Sequence, residues 1–344
     1  MSSETPRIPL PPRPLRADGS PRRVGVEIEF SGLSIDEVAA LVRTELAGPA
    51  GRLVPTGRYE IDVEGDAAGP WRVELDFGLL KSLGRRDREG RDLGATLEAL
   101  AEDLLRGIAE RIVPVEVVSP PLPVERLDAV NRLIARLRAA GARGTLDDPA
   151  YAFGMQLNPE LPATDTATIL HYLQAYLCLE DWLRARARVD WTRRLTFFAD
   201  PFPRTWVRRS IDPDYAPERD RLIDDYLTAN PTRNRALDLL PLFAELDPER
   251  VHARISDDRV KARPTLHYRL PNSEIDRPGW DLSQPWADWL VVERLAAAPE
   301  RLVALCRTYA SFLDRPLGGL PLGGLTGDWS ATCTEWLQEQ GLLE

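Results

Sequence analysis

Two kinds of hydrophobic spacing alternate along the chain. In "RRVGVEIEFSG", residues 22–32, Val24, Val26, Ile28 and Phe30 take one side of a period-two pattern, and Gly25, Glu27 and Glu29 take the other. "RYEIDVEGD" and "WRVELDFG" alternate in the same way and predict a β-hairpin. "VPVEVVSPP", "AFGMQLNPE" and "RPTLHYRLPNSEID" predict further strands. Between them the period lengthens to that of a helix. "SIDEVAALVRTELAG" carries a Ser34/Glu37 capping box, an apolar stripe and a Gly48-Pro49 stop. Further helices are expected at about 95–112 and 124–140, the latter closed by Gly141, and over "TDTATILHYLQAYLCLEDWLRARARVDW". At least two more are expected within 217–246, and the C-terminal third reads as helical.

Short strands with interspersed helices predict an α+β fold, a mostly antiparallel sheet with helices on one face. Residues 1–22, rich in proline and arginine, read as an extended, disordered tail. No polar linker divides residues 23–344, so they read as one domain with a helical insertion at about 165–260. "PLGGLPLGGL" at 316–325 is a local repeat in a loop, too short for a solenoid.

If the apolar sides of these strands pack on helices, the other face collects Glu27, Glu29, Asp76, Glu116, Gln156, Asn158, His267 and Arg269. Two carboxylates about 7 Å apart repel by roughly 2.4 kcal/mol at an effective dielectric of 20. Such a face is either open to bulk water or binds hard cations, and Mg²⁺ or Mn²⁺ suits oxygen donors. Glu60, Asp62 and Glu64 read as the solvated alternative, an exposed hairpin face.

Composition narrows the choice. The chain has 344 residues, 43% hydrophobic and 28% charged, with a formal net charge of −10 that argues against nucleic acid as the main partner. "LRARARVDWTRR" reads as a solvated helix end rather than an RNA contact. Three scattered cysteines make no disulfide framework and no zinc signature, which points to the reducing cytoplasm. The sequence holds no apolar run long enough to span a membrane. With three histidines and no P-loop, Ser/His/Asp chemistry and P-loop ATP binding find little support.

"GVEIEF", "WRVELDFG", "VEVVSPPL", "FGMQLNP" and "YRLPNSEID", in that order, resemble the putative amidoligase family, as does "DDYLTANPTRNRALDLLPLF". The likeness runs from about residue 23 to 295. It implies a glutamine-synthetase-like catalytic fold, a curved sheet whose concave face holds two or three Mg²⁺ ions (or Mn²⁺) and ATP. The implied reaction is ATP-dependent carboxylate–amine ligation through an acyl phosphate, with small-molecule or peptide carboxylate and amine substrates. The resemblance makes Glu27, Glu29 and Glu116 metal ligands and Asp76 a metal ligand or amine contact. Arg269 would meet the transferring phosphate and Asn158 the nucleotide, with Arg233 and Arg235 as candidate holders of an anionic substrate.

Two positions depart from the family pattern, which has histidine at Gln156 and glutamate at His267. Both would ligate one metal with Glu27; here Gln156 offers a carbonyl oxygen and His267 a nitrogen, a weaker site or one that prefers Mn²⁺. Two alternatives stay open: phosphate transfer to a guanidino group, and a non-catalytic binding protein that has kept the fold. The resemblance also allows a homo-oligomer.

Overall fold

The computed structural model describes residues 8–57, 59–75, 114–145, 153–187, 200–257, 259–315 and 328–343. The strands are β1 (Arg23–Phe30), β2 (Arg52–Gly57), β3 (Glu60–Glu64), β4 (Trp71–Leu75), β5 (Val115–Val118), β6 (Leu122–Pro123), β7 (Met155–Pro159), β8 (Leu237–Asp238) and β9 (His267–Tyr268). They form one sheet in the order β2-β3-β4-β5-β1-β7-β9-β8, with β6 also on β1, and every named pairing is antiparallel. The α+β expectation is met. The sequence pattern anticipated neither β2 nor the two-residue β8, which rises out of the helical insertion.

Side-chain alternation explains where the core lies. Val24, Val26, Ile28 and Phe30 of β1 are buried, as are Val115 and Val117, Met155 and Leu157, Trp71, Val73 and Tyr268. This side is covered by α1 (Ile35–Val42), α2 (Leu127–Ala140), α3 (Thr166–Arg186) and α8 (Ser283–Ala296). The expected Ser34/Glu37 capping box is present, with Ser34 Oγ accepting from Glu37 N–H and Glu37 accepting from Ser34 N–H at 2.9 Å. A π-helical turn, Arg43–Ala47, carries α1 on to Gly48, whose φ of 68° ends it. Gly141, with φ of 105°, ends α2 in the same left-handed way.

The insertion contains α4 (Arg204–Ser210), α5 (Arg219–Ala229), α6 (Leu240–Leu246) and α7 (Pro248–His252), with β8 between α5 and α6. After α8, α9 (Pro299–Leu313) and α10 (Trp329–Glu339) complete the chain. The expected helix at 95–112, the 316–325 repeat, the end of the long helix beyond Ala187 and residues 1–7 lie outside the described residues. Among the described residues, no helix is long and apolar enough to cross a membrane.

Residues 8–22 correct the expectation of a disordered tail. Ile8 is buried, Pro9 O accepts from Trp286 Nε1 at 2.8 Å, and Leu15 bridges Pro21. The anchor is Arg22, whose guanidinium makes a bidentate pair with Glu293 at 2.6 and 2.9 Å. Those two side chains are 2% and 0% exposed. Trp289 Nε1 and Tyr172 Oη also donate to Glu293. The partners are 271 residues apart, so nothing in the local composition of the tail betrays the pairing.

Removing one partner of such a pair strands a buried charge. Glu293→Ala is expected to destabilise the protein by about 3–5 kcal/mol in denaturant unfolding. The double replacement Arg22→Met with Glu293→Leu should be less destabilised than Glu293→Ala, because neither charge then remains buried. It should stay below the parent, because Trp289 Nε1 and Tyr172 Oη lose their acceptor.

Candidate active site

The strand register sets the polar side chains in three rows on the face opposite the helices. The first crosses β3, β4, β5 and β1 as Glu60, Glu74, Glu116 and Glu29, each opposite the next. The second runs Asp62, Arg72, Val118, Glu27, Gln156. In the third, Gly25 stands opposite Asn158, and His267 opposite Asp238. Asn158 and His267 face each other between the Leu157–Tyr268 pair and the Glu160–Thr265 bridge. The sheet thus changes character along its width, from carboxylates at one end to amides, imidazole and guanidinium at the other.

Of the residues singled out from the sequence, the structure brings Glu29 beside Glu116, Glu27 beside Gln156 and Asn158, and His267 beside Arg269. Glu29 Oε2 accepts the Gly154 N–H at 2.8 Å. Asn158 Nδ2 donates to Glu27 Oε1 at 2.7 Å. Gly25 makes room for that contact, since a Cβ there would stand 3.3 Å from Asn158 Cβ. Asp76 lies outside the described residues.

Two expectations change. Arg235 is buried and faces away from the polar rows, donating to Asn230 Oδ1 at 3.0 Å and to Pro201 O at 2.6 Å while lying over the Phe202 ring. Its guanidinium is engaged in holding the insertion together, so it is not available to a substrate. Glu60, Asp62 and Glu64, read as an exposed face, are half-buried and paired, Glu60 and Asp62 each with Arg72 at 2.9 Å and Glu64 with Arg52.

The third row holds a charge cluster that strand alternation did not reveal. Arg269 Nη2 lies 3.2 Å from His267 Nδ1 and 3.7 Å from an Asp238 oxygen. Asp238 is 1% exposed and accepts the Leu240 N–H at 2.9 Å. Burial pushes its carboxyl up to about 6, against the pull of Arg269, the Leu240 N–H and Arg233. Burial, reinforced by Arg269, Arg263 and Arg233, holds the His267 imidazole well below its usual value. Burial also works against the Arg233 cation, as do Arg269 and Arg259. Arg263 reaches within 4.0 Å of Glu27 Oε1. Asp238 and Arg263 were not anticipated. Asp238 sits in the apolar run "RALDLLPL", and a strand of two residues is too short to display alternation.

Several polar atoms of this face have no hydrogen-bond partner among the described residues: Gln156 Oε1, Asn158 Oδ1, Thr265 Oγ1, His267 Nε2 and Arg269 Nε. Buried polar atoms are almost always paired, so these five atoms of the face have hydrogen-bonding capacity left for a ligand or water. Among the described residues, no group of three or more His, Cys, Asp or Glu side chains forms a ready-made metal site.

A family model described as "Putative amidoligase enzyme" matches residues 20–291. The chain belongs to this amidoligase family. No curated protein and no solved structure matches it. The matched segment contains all three polar rows, from β1 through β9, together with Arg22 and the helical insertion.

Asp238 makes the stability of this amidoligase depend on pH in a defined direction. Its folded value is raised above the ordinary 3.8, so its contribution is fully present below about 4 and is lost as the pH rises through about 6. Asp238→Asn stays neutral throughout. Relative to the parent, the variant should therefore gain about 3 kcal/mol between pH 4 and pH 7, the worth of a rise from 3.8 to about 6. Denaturant unfolding across that range checks it.

Proposed function

We propose that this amidoligase is an ATP-dependent carboxylate–amine ligase working on a glutamine-synthetase-like catalytic sheet. The observation that carries the reading is the polarity of one sheet face, an acidic row at one end and a guanidinium–imidazole cluster at the other. A triphosphate needs cation ligands on one side and direct donors on the other.

In the reaction, an oxygen of the substrate carboxylate attacks the γ-phosphorus, and the bond to the β-phosphate oxygen breaks with release of ADP. The amine then attacks the acyl carbon, phosphate leaves with the bonding pair, and the nitrogen gives up a proton to complete the amide. Glu29 and Glu116, with Glu74 next in the row, would hold Mg²⁺ or Mn²⁺; when bound, the metal supplies charge neutralisation at the phosphates. The donor set fits a hard cation, because Glu74, Glu116 and Glu29 stand opposite one another on adjacent strands and offer carboxylate oxygens, the ligands such ions prefer. Glu27 and Gln156 border that site, and Asn158 orients Glu27. Arg269 meets the transferring phosphoryl group and Arg233 the anionic end of the substrate. Asp76 retains its expected role as a metal ligand or amine contact. We place the protein in the cytoplasm, a reading that its three free, buried cysteines support.

The test is ADP release with ATP and Mg²⁺ or Mn²⁺ over pools of carboxylates and amines. Release is expected to require both substrates, and Glu29→Gln or Glu116→Gln should lower the rate by about 100-fold or more. ADP formed without any amine would instead indicate phosphate transfer. Failure to bind ATP with either metal would make the chain a non-catalytic binding protein.

A further inference from the structure

The hydrogen bond between Arg269 and His267 fixes the tautomer of the imidazole. A guanidinium carries only donors, so at 3.2 Å His267 Nδ1 must be the acceptor. The single proton of the neutral ring is then on Nε2. A metal-bound histidine shows a different arrangement, with the metal on one nitrogen and the other donating its N–H to a carboxylate or carbonyl. Here the nitrogen that would have to donate faces a cation that cannot accept. His267 therefore presents an N–H to the site rather than a lone pair.

That N–H has no partner among the described residues, and neither does Arg269 Nε, although the two residues are only 8% and 9% exposed. Both are buried donors, side by side on β9 and its continuation. Arg233 and Arg263 lie close enough to bear on the His267 ring. Facing these three guanidiniums are Asp238, 3.7 Å from Arg269, and Glu27, 4.0 Å from Arg263. Arg259 and Asp257, next to them, pair with each other at 2.7 Å and cancel. Asp238 and Glu27 thus leave one positive charge uncompensated, and a divalent cation would add to the excess. An oxyanion would remove it and would satisfy both stranded donors.

We propose that the His267 end of the face is an oxyanion pocket rather than a metal site. His267 Nε2–H and the Arg269 guanidinium bind the oxygens of a phosphoryl or carboxylate group directly, with Arg233 completing the charge. The expectation that His267 ligates a metal with Glu27 is replaced, and the metals of the reaction are confined to the Glu29–Glu116 end. This rests on the ligase reading only for where the metals lie; the pocket itself is defined without it.

The chain has three histidines, so the imidazole ¹⁵N spectrum of the full-length protein is simple. His171→Gln and His252→Gln, neither of which touches the pocket, assign the His267 signal by elimination. In EDTA at pH 7 the ring is expected to be the neutral Nε2–H tautomer. Inorganic pyrophosphate or succinate should then move the Nε2–H resonance. A response to pyrophosphate identifies the phosphoryl group as the occupant, and a response to succinate identifies the substrate carboxylate. Arg233→Gln should weaken that anion about tenfold. An Nδ1–H tautomer, or indifference to both anions, would overturn the pocket. If pyrophosphate shifts His267 but ATP supports no turnover with any substrate pool, the ligase reading fails and the pocket stands. Turnover with an Nδ1–H ring would have the reverse meaning.

Discussion

The sealing of one face of β1 is the constraint on which the other strands depend. Its apolar residues, Val24, Val26, Ile28 and Phe30, are each at most 1% exposed, and that burial admits only one register for the strands on either side. A slip of one residue would bury Glu27 and Glu29 against helices at a cost of several kcal/mol per charge. With the register held, β5 and β7 must place Glu116 beside Glu29 and Gln156 beside Glu27. The chemistry of the polar face is therefore a consequence of sealing the other one.

Electrostatics divides that face into unlike halves. Carboxylates gather where β3, β4, β5 and β1 meet, and guanidiniums gather where the insertion brings its chain against β9. Asp238 links the two requirements. It is buried enough for its carboxyl to resist ionisation, yet it lies close enough to Arg269 to hold the guanidinium in place. Burial wins over Arg269 3.7 Å away, the Leu240 N–H and Arg233 together, which is why the shift is upward. At the other side of the molecule the Arg22–Glu293 pair solves the same problem differently, with a bidentate contact and two further donors that leave neither carboxylate oxygen unpaired.

Alternation made much of the sheet legible. Strands β1, β3, β4, β5 and β7 each show it over four or more residues. Spacing puts Glu27, Glu29, Glu116, Gln156 and Asn158 each on the polar side of its own strand, which the pairing then joins into one face. β2 was not legible, because "RLVPTG" carries a proline and too few apolar positions for a periodic signal. The roles of the insertion's arginines could not be separated either. Arg233 and Arg235 are two residues apart in one loop, but one reaches the charged cluster and the other packs on Phe202.

Local sequence is enough to set the fold class, the side of each long strand that meets the core, the capping of α1 and the ends of α1 and α2, because all of these depend on neighbours within a few residues. Long-range packing chose which strand lies beside which, brought Asp238 to the face from inside a helical insertion, and folded residues 8–22 onto the domain instead of leaving them extended in solvent. Those outcomes depend on contacts between residues tens to hundreds of positions apart. The tautomer of His267 belongs to this second group, since only the approach of Arg269 in the folded chain determines which ring nitrogen carries the proton.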